Sequence, residues 1–573
     1  MKYFVTVVFN LLDTNKVQLF KLLALFLFVA LLDLLSIGLV GPFILLISEP
    51  DKLSNYSFWN DINQILQFES YSTGLVFIGV CLCFIFVIKA VASYISQRKI
   101  TLFAFKQQSI MMKRLIQDFQ YIKYEAYLLT KSSELINNVN NLTNVFTHQV
   151  LLSTLRLVSE GVIVIAILTL LFMTNMIAMI VLMFLLLFIY IVYSYKVKDK
   201  LKLAGENIIK QQDKIIKDIL LIYDGFKEIR VYGREDYTLK EFRRSLDSLA
   251  SSNTEYRSLQ IIPKLMIESI LMIFIVAIAL TTIIFEYSTI DMLATLSIFG
   301  VASIRIVPSA NVIMSSTNDL KYASNAIKSL DEQFNSMRKN RYMDISQGNS
   351  LDTLSGDIIV ENLKYKYNKA LNENVINDIN LVIKKGSMTG IIGKSGSGKT
   401  TFVDLIIGFL DSNNSICIGK SPMKKNIRSW LNNVAYIPQN IFIMDATIAE
   451  NITLSKNCMD EDRLNLAIDM AQLRGFIQSS ALGLQTKTGE RGNLLSGGQR
   501  QRLGIARAFY FNKECIVMDE VTSALDGDTE KEIVKVIGKL KGEVTMIMIT
   551  HRHDTLKNCD SIIKFKNGKI DRI

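Results

Sequence analysis

The apolar residues of this chain are concentrated in its first part. A helix that crosses a bilayer needs about 20 predominantly apolar residues. Six runs meet this length, near 19–48, 71–95, 151–173, 176–195, 262–285 and 292–315. Beyond residue 354 the apolar runs are short and alternate with charged residues and glycine. The pattern therefore predicts six transmembrane helices followed by a domain that faces water.

The connections between these runs differ in length and charge. Two of them, of about 55 and 65 residues, are rich in Lys and Arg. Because Lys and Arg are retained on the cytoplasmic side, we expect these two to be cytoplasmic helical hairpins, with both chain termini on the same side. The acidic connection after the first run, with an amphipathic stretch from Phe58 to Phe68, and the short turns near 173–175 and 286–291 are then external.

The chain beyond residue 354 alternates short β-rich runs with helical patterns. The β-rich runs include 358–360, 388–392 and 544–549. This alternation is typical of a parallel sheet with helices packed on it. A polar stretch separates it from the apolar part. The predicted organisation is a transmembrane domain at 1–324, a linker at 325–353 and an α/β domain at 354–573.

Charge and cysteine content exclude some functions. The formal net charge is +11, which is compatible with nucleic-acid binding. The basic residues flank apolar runs, however, as they do in membrane proteins, so we expect no nucleic-acid partner. The six cysteines are far apart except for Cys81 and Cys83, which lie inside an apolar run. Neither a disulfide framework nor a zinc site is therefore predicted.

A glycine-rich segment at 393–400 fits a phosphate-binding loop between a strand and a helix. An apolar run precedes it, and a helical pattern follows at 401–410. Glycines let backbone N–H groups close around phosphates, while Lys399 can reach the β- and γ-oxygens and the Thr400 hydroxyl can bind Mg²⁺. The predicted phosphate-binding residues are Gly393, Lys394, Ser395, Gly396, Ser397, Gly398, Lys399, Thr400 and Thr401.

A second candidate site lies at the end of the apolar run 516–518, which is followed by Asp519 and Glu520. Asp519 suits support of Mg²⁺, either as a ligand or by holding a ligand in place, and Glu520 suits polarising an attacking water. A strand that ends in two acidic residues is structural in most proteins. The phosphate loop in the same domain favours the catalytic interpretation here.

A third segment resembles the signature of a known family, the ABC ATPases. Residues 495–499 read LSGGQ, and RQR and IARA follow at 500–502 and 505–508. A glycine-rich helix N-terminus of this kind presents N–H groups and a serine hydroxyl to a phosphate. In that family the phosphate belongs to the opposite subunit. The resemblance therefore implies a homodimer with two composite ATP sites, to which this chain contributes Ser496, Gly497, Gly498 and Gln499.

The same resemblance implies roles for four further residues. Tyr367 matches the aromatic residue that stacks on adenine, and Gln439 matches the glutamine that links Mg²⁺ to the membrane domain. Asp526 belongs to the loop that couples the two sites, and His551 matches the histidine that contacts the γ-phosphate. The segments 124–134 and 223–230 resemble the two coupling segments of ABC exporters, and 486–492 resembles the segment that faces them.

The implied ligands are ATP and Mg²⁺, and the implied reaction is ATP hydrolysis coupled to transport. Glu520 and His551 are the expected catalytic residues. The metal is expected beside Thr400, Gln439 and Asp519.

Several charged residues lie within or beside the apolar runs, where a charge is costly unless it meets a partner or water. Arg156 and Glu160 are four residues apart, as are Lys264 and Glu268, and this spacing predicts an ion pair within each helix. The remaining charges have no such neighbour. These are Asp33, Lys89 and Arg305. We expect Lys89 to reach the inner interface, and Arg305, three residues before Pro308, to face substrate.

The membrane part carries a second resemblance. Residues 296–299 and 305–311, together with Asp33 and Pro42, resemble the PglK-type flippases of lipid-linked oligosaccharides. This implies ATP-driven flipping or export of a polyprenyl-pyrophosphate-linked oligosaccharide across the bacterial cytoplasmic membrane, with Arg305 and either Lys89 or Arg156 facing the pyrophosphate. Two alternatives remain open: a peptide or drug exporter, which shares every ATPase motif, and a membrane-anchored ATPase regulator without transport.

Overall fold

The computed structural model describes residues 16–48, 71–284, 289–342, 355–367, 374–456, 460–521, 525–550 and 552–572. The chain divides into two compact units. The first comprises Met1–Gln120 and Thr130–Lys339, and the second comprises Tyr121–Leu129 and Asn340–Ile573. A short segment from the N-terminal part of the sequence, 121–129, thus belongs to the second unit.

The described residues up to 339 are almost entirely helical. Short π-helical turns occupy Asn137–Leu142 and Phe146–Leu152. One helix, α4, belongs to the second unit and the others to the first. The helices are α1 (Lys16–Gly38), α2 (Val40–Ser48), α3 (Tyr71–Gln120), α4 (Tyr124–Leu129), α5 (Ser132–Ile136), α6 (Thr143–Val145), α7 (Ser153–Thr174), α8 (Met176–Asp224), α9 (Phe226–Val231), α10 (Glu235–Ile284), α11 (Thr289–Tyr322) and α12 (Ser324–Lys339).

Six helical segments of the first unit are long and apolar enough to cross a membrane, which confirms the predicted number. Large apolar side chains such as Phe20 and Ile177 are exposed on them, as expected of a surface that meets lipid. The first predicted run, 19–48, is divided between α1 and α2. The break falls where Pro42 has no N–H to donate to the carbonyl of Gly38.

Three helices extend well beyond the predicted transmembrane runs. The helices α3, α8 and α10 have 50, 49 and 50 residues. At 1.5 Å per residue each is roughly 75 Å long, against about 30 Å for the hydrocarbon core of a bilayer. The two long basic connections are therefore largely helical. The stretch from Phe58 to Phe68 and part of the turn at 286–291 lie outside the described residues.

The residues predicted as a linker at 325–353 are partly helical. Helix α12 buries Ile327, Leu330, Phe334 and Met337, whose spacing of three and four residues marks one face of a helix. It belongs to the first unit, which therefore extends to Lys339. The other positions of α12 are mostly polar. This polar composition predicts a linker, although the four apolar residues have the spacing of a helix.

The second unit contains two β-sheets, which confirms the predicted α/β class. In the larger sheet β9, β3, β8, β7 and β6 are parallel neighbours in that order, and β10 pairs antiparallel with β9. The smaller sheet is antiparallel, in the order β2, β1, β4, β5. The strands are β1 (Ile358–Tyr365), β2 (Ile376–Ile383), β3 (Met388–Gly393), β4 (Ile416–Ile418), β5 (Ser421–Pro422), β6 (Val434–Ile437), β7 (Cys515–Asp519), β8 (Thr545–Ile549), β9 (Ser561–Lys566) and β10 (Lys569–Arg572).

Helices cover the larger sheet and bury its apolar residues. Phe402 on the first of them packs against Phe565 of β9, with ring centroids 5.1 Å apart. Because β3 and β7 flank β8 in a parallel sheet, their carboxyl ends open at the same edge, where ligands of such folds bind. The helices are α13 (Lys399–Ile407), α14 (Ile427–Leu431), α15 (Ile448–Thr453), α16 (Glu461–Met470), α17 (Arg474–Ser479), α18 (Gly497–Tyr510), α19 (Gly527–Lys539) and α20 (His553–Lys557).

Candidate nucleotide-binding site

The glycine-rich segment connects β3 to α13, as its sequence predicts. Gly393 and Gly398 have φ angles of 153° and 102°, which L side chains rarely adopt. A Cβ atom on Gly393 would lie 2.5 Å from the carbonyl oxygen of Phe565, and one on Gly398 would lie 3.1 Å from that of Val375. Glycine is therefore required at both positions for the loop to take this shape.

Two side chains of the loop have polar atoms that suit a phosphate. Lys399 is 8% exposed, and its ammonium group donates to the carbonyl oxygens of Gly393 at 2.7 Å and Lys394 at 3.0 Å. The buried hydroxyl of Ser397 has no hydrogen-bond partner among the described residues. The Lys399 ammonium group and the Ser397 hydroxyl are both hydrogen-bond donors. The oxygens of a phosphate bound in the loop would accept from them.

The two carboxylates lie at the end of β7, at the predicted edge. The Nε2 atom of Gln439 donates to the Glu520 carboxylate at 2.8 Å. Asp519 is largely buried, and this burial, followed by the negative charge of Glu520, raises the pKa of its carboxyl, whereas the positive charge of Lys399 lowers it. The structure thus brings the glutamine, both carboxylates and the loop lysine together.

This arrangement fits Mg²⁺ held jointly with phosphate. Thr400, Gln439 and Asp519 offer oxygen ligands, which Mg²⁺ prefers. No group of three or more His, Cys, Asp or Glu side chains that could enclose a metal occurs within the part of the chain that the structure describes. With one carboxylate among Thr400, Gln439 and Asp519, the site suits an ion that completes its coordination with phosphate oxygens and water, as Mg²⁺ does.

Tyr367, the residue predicted to stack on a base, lies beside the start of α13. Its hydroxyl is 3.1 Å from the Oγ1 atom of Thr401. The side chain is 41% exposed, so a face of the ring is available. A second tyrosine, Tyr365, meets the ring edge-on, with centroids 5.3 Å apart and an interplanar angle of 85°.

The signature segment begins α18. Ser496 caps this helix: its hydroxyl oxygen accepts from the backbone N–H of Gln499 at 3.2 Å, and its own N–H donates to the Gln499 side chain at 2.8 Å. The hydroxyl proton of Ser496 and the first N–H groups of the helix, at Gly497 and Gly498, remain suited to an anion. Asp526 likewise caps α19 by accepting from Thr529, and His551 lies outside the described residues.

One buried carboxyl near this site was not singled out from the sequence. Asp404 on α13 is 5% exposed. Burial, and then the charge of Asp519, raise the pKa of Asp404 to about 6. The available signal was an acidic residue within the otherwise apolar run 402–407.

A separate set of charges lies among the apolar helices of the first unit. Asp33, which is fully buried, meets Lys89 at 2.5 Å and the Nε atom of Arg305 at 3.3 Å. The Nη2 atom of Arg305 lies 3.3 Å from Glu160, which also accepts from Ser309 at 2.7 Å. We call these four ionisable residues, Asp33, Lys89, Glu160 and Arg305, the intramembrane charge cluster.

The cluster corrects part of the pairing expected from sequence spacing. Glu160 pairs with Arg305 of another helix, whereas Arg156 is exposed. Lys89 and Arg305, for which spacing offered no partner, share Asp33. The expected pair at 264 and 268 is present, with 3.8 Å between nitrogen and oxygen. Spacing along one helix cannot identify partners that the packing of several helices supplies.

Comparison with known proteins identifies the second unit. Residues 376–523, which include the phosphate loop, Gln439 and both carboxylates, match the ABC transporter family. The chain carries an ABC transporter domain. The solved structure of a bacterial Atm1-family ABC exporter with ATP bound covers 95% of this chain and 94% of its own, with a TM-score of 0.75 and 16% sequence identity. The membrane helices and the ABC domain together thus have the ABC exporter fold.

The names of three curated relatives all refer to ATP and differ in what else they give. A probable ABC transporter ATP-binding/permease protein of Haemophilus influenzae is 32% identical over 353 residues, 60% of this chain and 62% of that protein. An ATP-dependent lipid A-core flippase of Saccharophagus degradans is 36% identical over 222 residues, 38% of each chain. A leukotoxin translocation ATP-binding protein of Mannheimia glucosida is 38% identical over 223 residues, 39% of this chain and 31% of that protein. The chain thus matches less than two thirds of the length of each of these relatives.

Proposed function

We propose that this chain is one half of a homodimeric ABC exporter that hydrolyses ATP to move an amphiphilic substrate across the bacterial cytoplasmic membrane. The observation that carries the proposal is the assembly of the phosphate loop, Gln439, Asp519 and Glu520 at one sheet edge, in a chain with six helices long enough to span a membrane. The ABC domain and both termini then lie in the cytoplasm.

In this proposal each polar group of the site has one task. Bound Mg²⁺ would neutralise charge on the phosphates and would be held by Thr400, Gln439 and Asp519. Lys399 turns from the loop carbonyls to the phosphate oxygens, and Glu520 orients the attacking water and accepts its proton. His551 is proposed to contact the γ-phosphate.

A second copy of the chain would complete each site. The capped start of α18 keeps N–H groups that suit an anion, and a phosphate bound by the partner copy would use them. The tip of the second long connection also favours an interface with a second copy. Its residues Phe226 and Val231 on α9 are 57% and 79% exposed. Exposed apolar residues on a helical tip outside the membrane suit burial against a second protein surface.

The proposed substrate is a polyprenyl-pyrophosphate-linked oligosaccharide. The intramembrane charge cluster supports an anionic substrate, because Lys89 and Arg305 keep 18% and 24% of their side-chain surface exposed while the carboxyl of Asp33 is fully buried. A pyrophosphate offers stronger acceptors than a carboxylate and could draw both cations from Asp33. The naming of one relative as a lipid A-core flippase agrees with an amphiphilic substrate.

Reconstitution in proteoliposomes tests this function. We expect Arg305→Ala to reduce turnover of a lipid-linked oligosaccharide while basal ATP hydrolysis stays largely intact, because Arg305 belongs to the first unit and is not one of the residues that form the proposed ATP site. Lys264→Ala, which removes an exposed charge of another membrane helix, is the matched control. Unchanged lipid turnover in the Arg305 variant removes this residue from the substrate site.

The same system separates the alternative functions. The relative named for leukotoxin translocation favours testing a polypeptide cargo beside the lipid. Hydrolysis that is stimulated by a peptide or a drug, and not by lipid-linked sugar, would support the peptide or drug exporter. Hydrolysis without movement of any cargo would support the regulator.

A further inference from the structure

The residues just before helix α4 are joined by backbone hydrogen bonds to the chain that enters the ABC domain. The N–H of Tyr342 donates to the carbonyl oxygen of Tyr121 at 2.7 Å, and the N–H of Lys123 donates to that of Asn340 at 2.8 Å. The hydroxyl of Tyr342 donates to the carbonyl oxygen of Gly408 at 2.6 Å, at the end of α13. The segment 121–129 is thus fixed at the C-terminal end of the phosphate-loop helix.

Aromatic contacts continue this attachment. The ring of Tyr124 packs against that of Phe409 at 5.2 Å, and Phe409 packs against Tyr436 of β6 at 6.2 Å. Burial raises the pKa of Tyr124, and the nearby charge of Asp404 raises it further. Phe409 and Tyr436 thus form an aromatic surface against which α4 packs within the second unit.

One polar contact joins α4 to β1, the strand that ends two residues before the base-stacking candidate Tyr367. The hydroxyl of Tyr365, at the end of β1, donates to the carboxylate of Glu125. Tyr365 is 7% exposed. Burial, and then the hydrogen bond to Glu125, raise the pKa of Tyr365, so its hydroxyl keeps its proton and remains the donor at any physiological pH.

The ring of Tyr365 in turn supports Tyr367. The two rings meet edge to face, which is a favoured geometry for aromatic pairs. Tyr367 then reaches Thr401 of α13 through its hydroxyl. A continuous path of contacts therefore runs from Glu125 on α4, through Tyr365, to the exposed face of Tyr367.

We propose that the hydrogen bond from Tyr365 to Glu125 is a positioning contact through which α4 sets the ring of Tyr367 against the base of the nucleotide. This rests on the proposed function, because it requires the base to stack on Tyr367. Tyr365 and Glu125 touch no phosphate in this arrangement, and they act through Tyr367. Because linkage is reciprocal, attachment of α4 to the ABC domain strengthens base binding, and a bound base strengthens the attachment of α4.

The test uses the full-length protein in detergent or nanodiscs and compares two probes. ATP carries the base, whereas inorganic tripolyphosphate presents only phosphates to the loop. We expect Tyr365→Phe to raise the KM for ATP about three- to tenfold, which is less than the full effect of losing one hydrogen bond to a charged group, because the bond acts on the base only through Tyr367. We expect its kcat and the inhibition constant of tripolyphosphate to change less than about twofold, because the variant leaves the phosphate loop intact.

A mutant cycle identifies the hydrogen bond as the cause. Glu125→Ala should raise the KM for ATP as Tyr365→Phe does, and the double variant should be no worse than either single variant, because each removes the same contact. Glu125→Gln keeps an acceptor oxygen and should stay within about twofold of the wild-type KM. Tyr237→Phe, which removes an exposed hydroxyl from α10, is the matched control.

Each outcome has one meaning. An unchanged KM for ATP in Tyr365→Phe overturns the positioning contact, as does a parallel rise in the tripolyphosphate inhibition constant, which would show general damage to the loop. A Glu125→Gln variant as impaired as Glu125→Ala also overturns it. If the wild-type protein itself hydrolyses no ATP, the proposed function fails instead, which is distinguishable from a normal wild type with an unaffected Tyr365→Phe variant.

Discussion

Glu520 occupies a backbone conformation that a non-glycine residue rarely adopts. Its φ angle is 49°, in the left-handed region, and such a conformation costs about 1–3 kcal/mol. Its backbone N–H donates to the carbonyl oxygen of Ile549 at 3.0 Å, and its carboxylate accepts from Gln439. Both ends of the residue are thus fixed, and the strained backbone holds the carboxylate beside Asp519. Strain of this kind is characteristic of residues that take part in chemistry.

Replacing Glu520 by Gln preserves the shape of the side chain and removes its ability to accept a proton. We expect Glu520→Gln to bind ATP with nearly wild-type affinity and to lose about 10²- to 10⁴-fold in turnover, the usual contribution of a general base. Steady-state phosphate release and nucleotide binding measured on the same preparation separate the two effects. Glu461→Gln on α16, an exposed position, is the control. Wild-type hydrolysis by Glu520→Gln would remove this residue from catalysis.

Asp404 makes the stability of the ABC domain depend on pH. The pKa of its carboxyl is about 6 in the folded protein, against the usual value of 3.8. Between these values the unfolded chain releases the proton while the folded domain retains it, so rising pH favours unfolding, and the loss is complete above about pH 6.

The neutral variant Asp404→Asn escapes this loss. We expect it to melt at a higher temperature than the wild-type protein at pH 7, and the difference to shrink as the pH falls towards 4, where both carboxyl and amide are neutral. Thermal unfolding of the purified protein across this range measures it. Asp528→Asn, at a position 99% exposed, should show no such trend. A difference that is constant with pH would contradict the assignment.

At the scale of elements, the sequence predicts the helices and strands that depend on local periodicity. It does not predict the contacts that depend on how several elements pack together. The six apolar helices, the α/β alternation and the phosphate loop follow from patterns within about 20 residues. The pairing of Asp33 with Arg305 joins residues 272 positions apart, and no spacing rule reaches that far. The resemblance of 124–134 to a coupling segment indicated that this stretch meets the ABC domain, but the contact of Glu125 with Tyr365, 240 positions away, was missed for the same reason.

Helix α12 shows how a short apolar period can be hidden by polar neighbours. Leu330 lies at the centre of its buried face and is fully buried. We expect Leu330→Ala to lower the free energy of unfolding by about 2–5 kcal/mol, as large-to-small core substitutions do, whereas a flexible linker would tolerate it. Lys328→Ala, at an exposed position of the same helix, should change stability little. Equal melting temperatures for both variants would show that this stretch behaves as a linker.

At the scale of the whole molecule, the proposed homodimer makes each ATP site depend on two chains. Its two-fold symmetry would pair the phosphate loop of each copy with the signature segment of the other. A chain with a defective phosphate loop still offers an intact signature segment, and the reverse also holds. Two different inactive variants could therefore restore one another, which sites contained within single chains could not do.

Lys399→Ala and Gly497→Asp are suited to this complementation. The first removes the ammonium group from the phosphate loop. The second places a carboxylate at the first turn of α18, where it stabilises the helix through its dipole but repels a phosphate. We expect each variant alone to be inactive. Coexpression in equal amounts should recover about a quarter of wild-type hydrolysis if sites act independently, because half of the dimers are mixed and each mixed dimer keeps one intact site.

The control is the pair Lys399→Ala with Glu520→Gln. Both substitutions damage the phosphate-loop half of the site, so this pair should recover nothing. Failure of the first pair to recover activity, with mixed dimers present, would contradict composite sites that act independently.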